Sequence, residues 1–104
     1  MTTHRVRHIK VRPEEHEALL RLLKVAAGDT GQSRKVADFL LAWWNAGSCG
    51  GFDITTTWGL DDDLVSDVIT VFALAARCNS YPDTLGYADD FKRVVEMWRP
   101  ELKD

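Results

Sequence analysis

Two strongly apolar segments constrain the fold of this chain more than any other feature. They span residues 36–44 and 68–76, and in both the apolar residues recur at helical spacing around a wide arc of the helical wheel. A helix with so wide an apolar arc belongs in the centre of a domain, so Leu40 and Phe72 are predicted to be buried. A chain of 104 residues holds one compact core. The sequence therefore predicts one domain built around two central helices.

Capping residues mark where the predicted helices begin. Pro13 suits the first position of a helix, where its missing N–H costs nothing. Ser33 is predicted to cap a second helix over about 34–46, and Asp61 a third. A fourth, amphipathic helix is predicted over about 88–98.

The glycine-rich stretch 47–51 is predicted to form a tight loop, and the threonine run that follows Phe52 disfavours helix. The predicted fold is mainly all-α, a compact bundle of about four helices with a Gly- and aromatic-rich irregular connection. Residues 1–12 form an extended basic arm in this prediction, and residues 13–104 form the single helical domain.

Charge is distributed unevenly along the chain. The net charge of −3 divides into +4 on residues 1–12, which contain no acid, and −7 on the remainder. Between residues 36 and 76 there is no Lys or Arg. The acids in that interval are Asp38, Asp53, Asp61, Asp62, Asp63 and Asp67. Such a one-signed stretch repels bare nucleic acid and favours a basic protein surface as its partner.

The four tryptophans are predicted to serve different purposes. Trp44 and Trp98 lie on the apolar faces of their helices and are predicted to pack in the core. Trp58 follows the glycine loop. It is either a further core residue or, on an exposed irregular loop beside Phe52, an anchor for a partner, since Trp is prominent among binding hot spots.

No catalytic spacing is recognisable in the sequence. Cys49 lies in the glycine loop, but the available bases are His4, His8 and His16, in or near the basic arm. Cys49 and Cys78 are therefore predicted to be structural thiols, and the chain is predicted not to be an enzyme. A cysteine-dependent enzyme remains an alternative. No cofactor and no metal are predicted, because the Asp61–Asp63 run lacks the alternating acids of a calcium loop.

Residues 33–102 resemble a family of small uncharacterised proteins carried on proteobacterial plasmids, integrative elements and phages. The resemblance lies in the sequences VADFLLAWWNA at 36–46, CGGFD at 49–53, YPDT at 81–84 and WRP at 98–100. The resemblance implies a genetic context, that of mobile elements, and does not imply a biochemical mechanism. Small proteins in such settings often bind host or defence machinery, as anti-CRISPR proteins do, which is an analogy and assigns no residue.

The leading hypothesis is a non-enzymatic protein-binding module of a mobile genetic element, for example an inhibitor of a host defence complex, acting through an acidic surface. Its predicted contacts are Asp53, Trp58, Asp61, Asp62, Asp63 and Asp67. The alternative is a nucleic-acid accessory or regulatory protein whose basic arm contacts phosphates. The arm residues in that alternative are Arg5, Arg7, Lys10 and Arg12.

The apolar segments are shorter than the roughly 20 residues that span a bilayer, and no signal sequence is recognisable. We therefore expect a cytoplasmic protein without a membrane partner. Its predicted state is a monomer or a small homo-oligomer.

Overall fold

Four α-helices and two short 3-10 helices make up the part of the chain that the computed structural model describes, residues 10–102. The elements in chain order are α1 (Pro13–Ala26), α2 (Gly31–Cys49), a first 3-10 helix (Ile54–Gly59), α3 (Asp62–Cys78), α4 (Ala88–Trp98) and a second 3-10 helix (Pro100–Leu102). No strand occurs among these residues. The predicted all-α bundle of about four helices is confirmed.

Helix α1 begins at Pro13, as predicted. The residue before it, Arg12, has an extended backbone, and its N–H donates to the Glu15 carboxylate at 2.8 Å. The Arg12 carbonyl accepts the backbone N–H groups of Glu15 and His16 at 3.0 and 2.9 Å. The residue before α1 thus hydrogen-bonds to groups of the first helical turn that have no partner further back in the helix.

Thr30 caps α2, so the prediction that Ser33 is the cap was wrong. The Thr30 hydroxyl accepts the backbone N–H of Ser33 at 3.0 Å, and α2 begins at Gly31. Ser33 is itself buried within the first turn, and its hydroxyl lies 2.9 Å from that of Thr30. Thr30 and Ser33 both have a side chain suited to capping, and the cap is Thr30, whose backbone is extended.

Helix α2 continues past the predicted stop at Gly47. Asn45 interrupts it with non-helical backbone angles, φ −166° and ψ 86°, and its side-chain oxygen accepts the backbone N–H of Ser48 at 3.1 Å. Asn45 therefore caps one further helical turn, which ends at Cys49. The reversal falls at Gly50, whose φ of 97° favours glycine.

Helix α3 begins after Asp61 as predicted, but the Asp61 carboxylate does not cap it. That carboxylate instead accepts from the Gln32 side chain at 3.1 Å, while the Asp61 backbone N–H donates to the Gln32 oxygen at 2.7 Å. Asn79 ends α3 in the left-handed conformation, with φ 52°. Helix α4 has the predicted bounds.

Helix α1 is the shared packing partner of the bundle, since it contacts α2, α3 and α4. Its residues Leu19, Leu22 and Ala26 are completely buried. Together with Ala18 they belong to a core cluster that also contains buried residues of α2, α3 and α4.

Helix α3 is covered on one side, which corrects the prediction that Phe72 is buried. Val71 and Leu74 are fully buried, whereas Ile69 is 63% and Phe72 64% exposed. Leu40 on α2 is buried, as predicted. Because α3 packs mainly on α1, its second apolar face has no covering helix within the described residues.

Two ion pairs join α1 to α3. Arg21 donates to both carboxylate oxygens of Asp67 at 2.9 Å. Arg77 forms a two-pronged contact with buried Glu15. Burial by itself raises the pKa of Glu15, but the hydrogen bonds from Arg77 and the Arg12 backbone outweigh it and hold the pKa below its ordinary value.

Phe91→Ala is expected to lower the free energy of unfolding by about 3–5 kcal/mol, because the ring is fully buried and packs edge-to-face on Trp43. Chemical denaturation measures this change. The matched control is Phe72→Ala, expected to change stability by about 0.5 kcal/mol or less because the Phe72 ring is exposed. Equal losses in the two variants would contradict the packing described here.

Glu15→Gln is expected to lower the free energy of unfolding by about 1.5–3 kcal/mol at pH 7, since it removes the charge that receives Arg77. A carboxyl whose pKa is lowered by folding stabilises the fold above its unfolded value, 4.5, and this contribution disappears as pH falls through the folded value. Denaturation from pH 7 to pH 3 should therefore show the difference from the parent shrinking below pH 4.5. The control is Glu14→Gln, an exposed neighbour. A pH-independent difference would contradict the assignment.

Candidate functional site

An open apolar groove lies between α2, the first 3-10 helix and α3. It encloses about 560 Å³. We call it the apolar groove, and it is lined by Phe39, Ala42, Trp43, Phe52, Ile54, Thr57, Val68, Ile69, Phe72 and Ala75. Nine of these ten residues are apolar or aromatic, and Thr57 is the exception.

The walls of the groove are well packed, whereas its rim is exposed. Phe39 is buried and meets Phe52 edge-to-face, with ring centroids 5.3 Å apart. On the rim, Ile54 is 77% exposed, in addition to Ile69 and Phe72. Large apolar side chains clustered in this way typically mark an interaction surface.

The sequence of α3 explains why the groove exists. Val71 and Leu74 lie on the face that α1 covers, while Ile69 and Phe72 lie on the other side of the same helix. Both faces are apolar, but the described chain supplies a covering helix for only one of them. The groove is the uncovered second face.

The polar groups of the groove have partners within the chain. The Trp43 indole N–H donates to the Ser80 carbonyl at 3.0 Å, and the Thr57 hydroxyl donates to the Ile54 carbonyl at 2.7 Å. Sites for small ligands usually combine an enclosed cavity with convergent polar groups that fix orientation. The groove is open and, among its lining residues, offers none, so its geometry favours the apolar surface of a macromolecule.

The predicted acidic contacts fall into three environments. Asp61, Asp62 and Asp63 are exposed at the N-terminal end of α3. Asp53 is also exposed, and hydrogen bonds from the Thr55 hydroxyl and backbone N–H, at 2.7 and 2.9 Å, lower its pKa. Asp67 is buried.

The location of Asp67 separates it from the other predicted contacts. Its side chain is 10% exposed, and both of its oxygens accept from Arg21. A carboxylate held in this way joins two helices and presents no free edge to a partner. The acidic surface is therefore formed by Asp53 and by Asp61, Asp62 and Asp63.

Basic residues close to this surface include Lys35 and Arg21, and Arg21 is already paired with Asp67 while it also interacts with the charge of Asp63. Lys35 lies across the first 3-10 helix, with its ammonium 2.8 Å from the point where a β-carbon on Gly59 would stand. Arg77 binds Glu15 and also donates to the Lys10 carbonyl at 2.7 Å. The ion pairs of Arg21, Arg77, Arg93 and Arg99 are formed with other acids, not with Asp61, Asp62 or Asp63.

Trp58 stands on the same 3-10 helix as Ile54 and Thr57 and is 82% exposed. The other tryptophans are less accessible. Trp43 and Trp44 are half-buried against the core, and Trp98, also half-buried, donates its indole N–H to the Ala26 carbonyl at 2.7 Å. Trp58 is therefore the tryptophan that a partner can reach most fully.

The basic arm is described only at its end. Arg5 and Arg7 lie outside the described residues, whereas Lys10 and Arg12 are described and exposed. The backbone of Lys10 and Arg12 is hydrogen-bonded to Arg77 and to the start of α1. Phosphate binding by the arm stays a prediction.

The two cysteines are free and buried. Burial raises the pKa of the Cys49 thiol, and the Cys49 carbonyl accepts from the Arg99 guanidinium at 3.2 and 3.3 Å. Nucleophilic cysteines show the opposite shift, because the thiolate is the reactive form. His16 has Tyr87 as its partner, with the ring nitrogen 2.8 Å from the hydroxyl.

The chain matches a family of unknown function (DUF7673) over residues 16–99. It belongs to this family. No curated protein and no solved structure matches the chain. Among residues 10–102, no helix combines the length and apolarity needed to cross a membrane. The matched residues run from within α1 to the end of α4 and include the whole apolar groove.

Cys49 and Cys78 are expected to react with iodoacetamide at pH 7 about tenfold or more slowly in the folded chain than in urea, because both are buried and the Cys49 thiolate is disfavoured. Mass spectrometry of the alkylated peptides measures each rate separately. Rapid alkylation of Cys49 in the folded chain would contradict this account and revive the cysteine-dependent alternative.

Proposed function

We propose that this chain is a non-enzymatic protein-binding module whose apolar groove receives apolar side chains of a partner that are bordered by Lys or Arg. The observation that carries the proposal is the cluster of exposed Ile54, Ile69 and Phe72 around a groove with no free polar group. Burying such side chains is favourable in proportion to the apolar area covered.

Charge complementarity supports the choice of partner. The groove lies within a stretch, residues 36–76, that contains no Lys or Arg, and Asp53 and the acids at the start of α3 are exposed beside it. Opposite charges around an apolar contact increase the association rate and disfavour wrong partners. An anionic membrane surface would be repelled by the same acids.

The setting of this function is also part of the proposal. The resemblance to proteins of plasmids, integrative elements and phages supports a role for a mobile element, for example as an inhibitor of a host defence complex. Such complexes handle nucleic acid through basic surfaces, and a basic surface is the chemistry that the acids beside the groove would bind.

Affinity capture of host proteins with the full chain tests the proposal. A partner should be recovered by the parent chain and lost with Phe72→Asp, because the new carboxylate places an unpaired charge in the apolar contact. The matched control is Leu20→Asp, which changes an exposed apolar residue on α1, outside the groove. Circular dichroism should show both variants folded. A set of captured proteins that is the same for all three chains would overturn the proposal.

The contribution of charge is tested on the partner recovered. Asp62→Asn with Asp63→Asn should weaken binding severalfold at low salt and reduce its salt dependence, because exposed charges act mainly through screened attraction. The control pair is Asp83→Asn with Asp89→Asn, two exposed acids elsewhere. Equal effects of the two pairs would show that net charge alone, not the groove, governs binding.

A further inference from the structure

We infer that the occupant of the apolar groove is an amphipathic α-helix that lies antiparallel to α3, with Lys or Arg in its own C-terminal turn. This inference rests on the proposed function and adds the form and direction of the partner. It follows from the shape of the walls, the length of the groove and the position of the acids.

The walls of the groove favour a helix over an extended segment. Two of them are helices, α2 and α3, and no strand edge exists among residues 10–102 to which an extended peptide could add. The backbone N–H and C=O groups of an extended peptide would lie unpaired against the apolar side chains, at a cost for each buried group. A helix satisfies these groups internally.

The length of the groove sets the number of contacts. On α3 it extends from Val68 to Ala75, which at 1.5 Å per residue corresponds to about 10 Å, or two helical turns. Two turns of an occupant helix place the side chains at positions i, i+3, i+4 and i+7 on one face. The partner therefore contributes three or four apolar side chains at this spacing.

The two ends of the groove differ in charge, and this difference sets the direction. Near the start of α3, Asp61, Asp62 and Asp63 are exposed, and Arg21, which interacts with the charge of Asp63, is already paired with Asp67. Near the end of α3, Arg77 is bound to Glu15. The basic residues of the partner therefore lie at the start of α3.

Helix dipoles select which end of the partner is basic. Lys and Arg stabilise the C-terminal end of a helix, where the partial charge is negative. When that end lies beside the start of α3, the partner runs antiparallel to α3, and its negative end meets the positive end of α3. Trp58, exposed on the 3-10 helix just before α3, is an aromatic ring available for contact with such cations.

A second copy of this chain is a poorer occupant on charge grounds. In a two-fold symmetric contact with the two α3 helices antiparallel, the acids at the start of each α3 would lie beside the end of the other. At that end Arg77 is already bound to Glu15, so a second copy offers weaker charge complementarity than a partner that carries Lys or Arg of its own. Sedimentation equilibrium tests this case, and a dimer that Phe72→Asp dissociates would overturn the inference.

Three synthetic, fluorescently labelled peptides of identical composition test form and direction against the full chain. Each has about 18 residues, long enough for measurable helicity in isolation. The first places leucines at i, i+3, i+4 and i+7 with three lysines in its C-terminal turn. The second reverses the lysines to the N-terminal turn, and the third alternates leucine with polar residues.

Fluorescence anisotropy at low salt should show the first peptide binding roughly fivefold or more tightly than the second, with no measurable binding of the third. Asp62→Asn with Asp63→Asn should remove the preference, and Phe72→Asp should abolish binding. Equal affinities for the first two peptides would overturn the inferred antiparallel direction of the occupant. Tighter binding of the alternating peptide would overturn the inference that the occupant is a helix.

The outcomes separate the inference from the proposed function. If host capture depends on Phe72 but none of the peptides binds, the inference is overturned and the proposed function stands. If the first peptide binds through the groove but no host protein is lost with Phe72→Asp, the proposed function fails, while the groove still selects a helix of this direction.

Discussion

The burial of α1 against three other helices is the interaction on which the rest of the structure depends. Leu19, Leu22 and Ala26 are completely covered, and they bring α2, α3 and α4 to one common core. Because α3 packs mainly against α1, its other face is left open. The apolar groove is thus a consequence of how the core is assembled.

The ion pairs between α1 and α3 hold this arrangement in register. Arg21 with Asp67 and Arg77 with Glu15 join residues far apart in sequence, and the acid of each pair is buried. Loss of one partner would leave a buried charge without compensation, which is strongly unfavourable. These pairs therefore favour one packing of α3, in which Ile69 and Phe72 face outward. The fold thereby keeps the groove open.

In the proposed function, the acids beside the groove and the groove itself would act on different steps of binding. Exposed charges such as those of Asp62 and Asp63 act over several ångströms and influence how fast and in which orientation a partner arrives. Apolar side chains act only on contact, and they determine how long the partner stays bound. In the proposed function, this combination would let a small module select a partner that carries both basic and apolar side chains.

The sequence by itself determined that there are four helices and roughly where each lies, because apolar periodicity is a local property. The start at Pro13 and the bounds of α4 follow from neighbours within a turn or two, whereas the cap of α2 and its extension past Gly47 do not. Only the tertiary structure decided which face of each helix is covered. The pattern of α3 is apolar on two sides, and nothing local distinguishes Val71, which is buried, from Phe72, which is not. In the sequence, nothing distinguishes Asp67 from the exposed acids that precede it. Its burial is decided by its pairing with Arg21, 46 residues away. Such choices depend on contacts between distant segments, and periodicity along one helix carries no information about them.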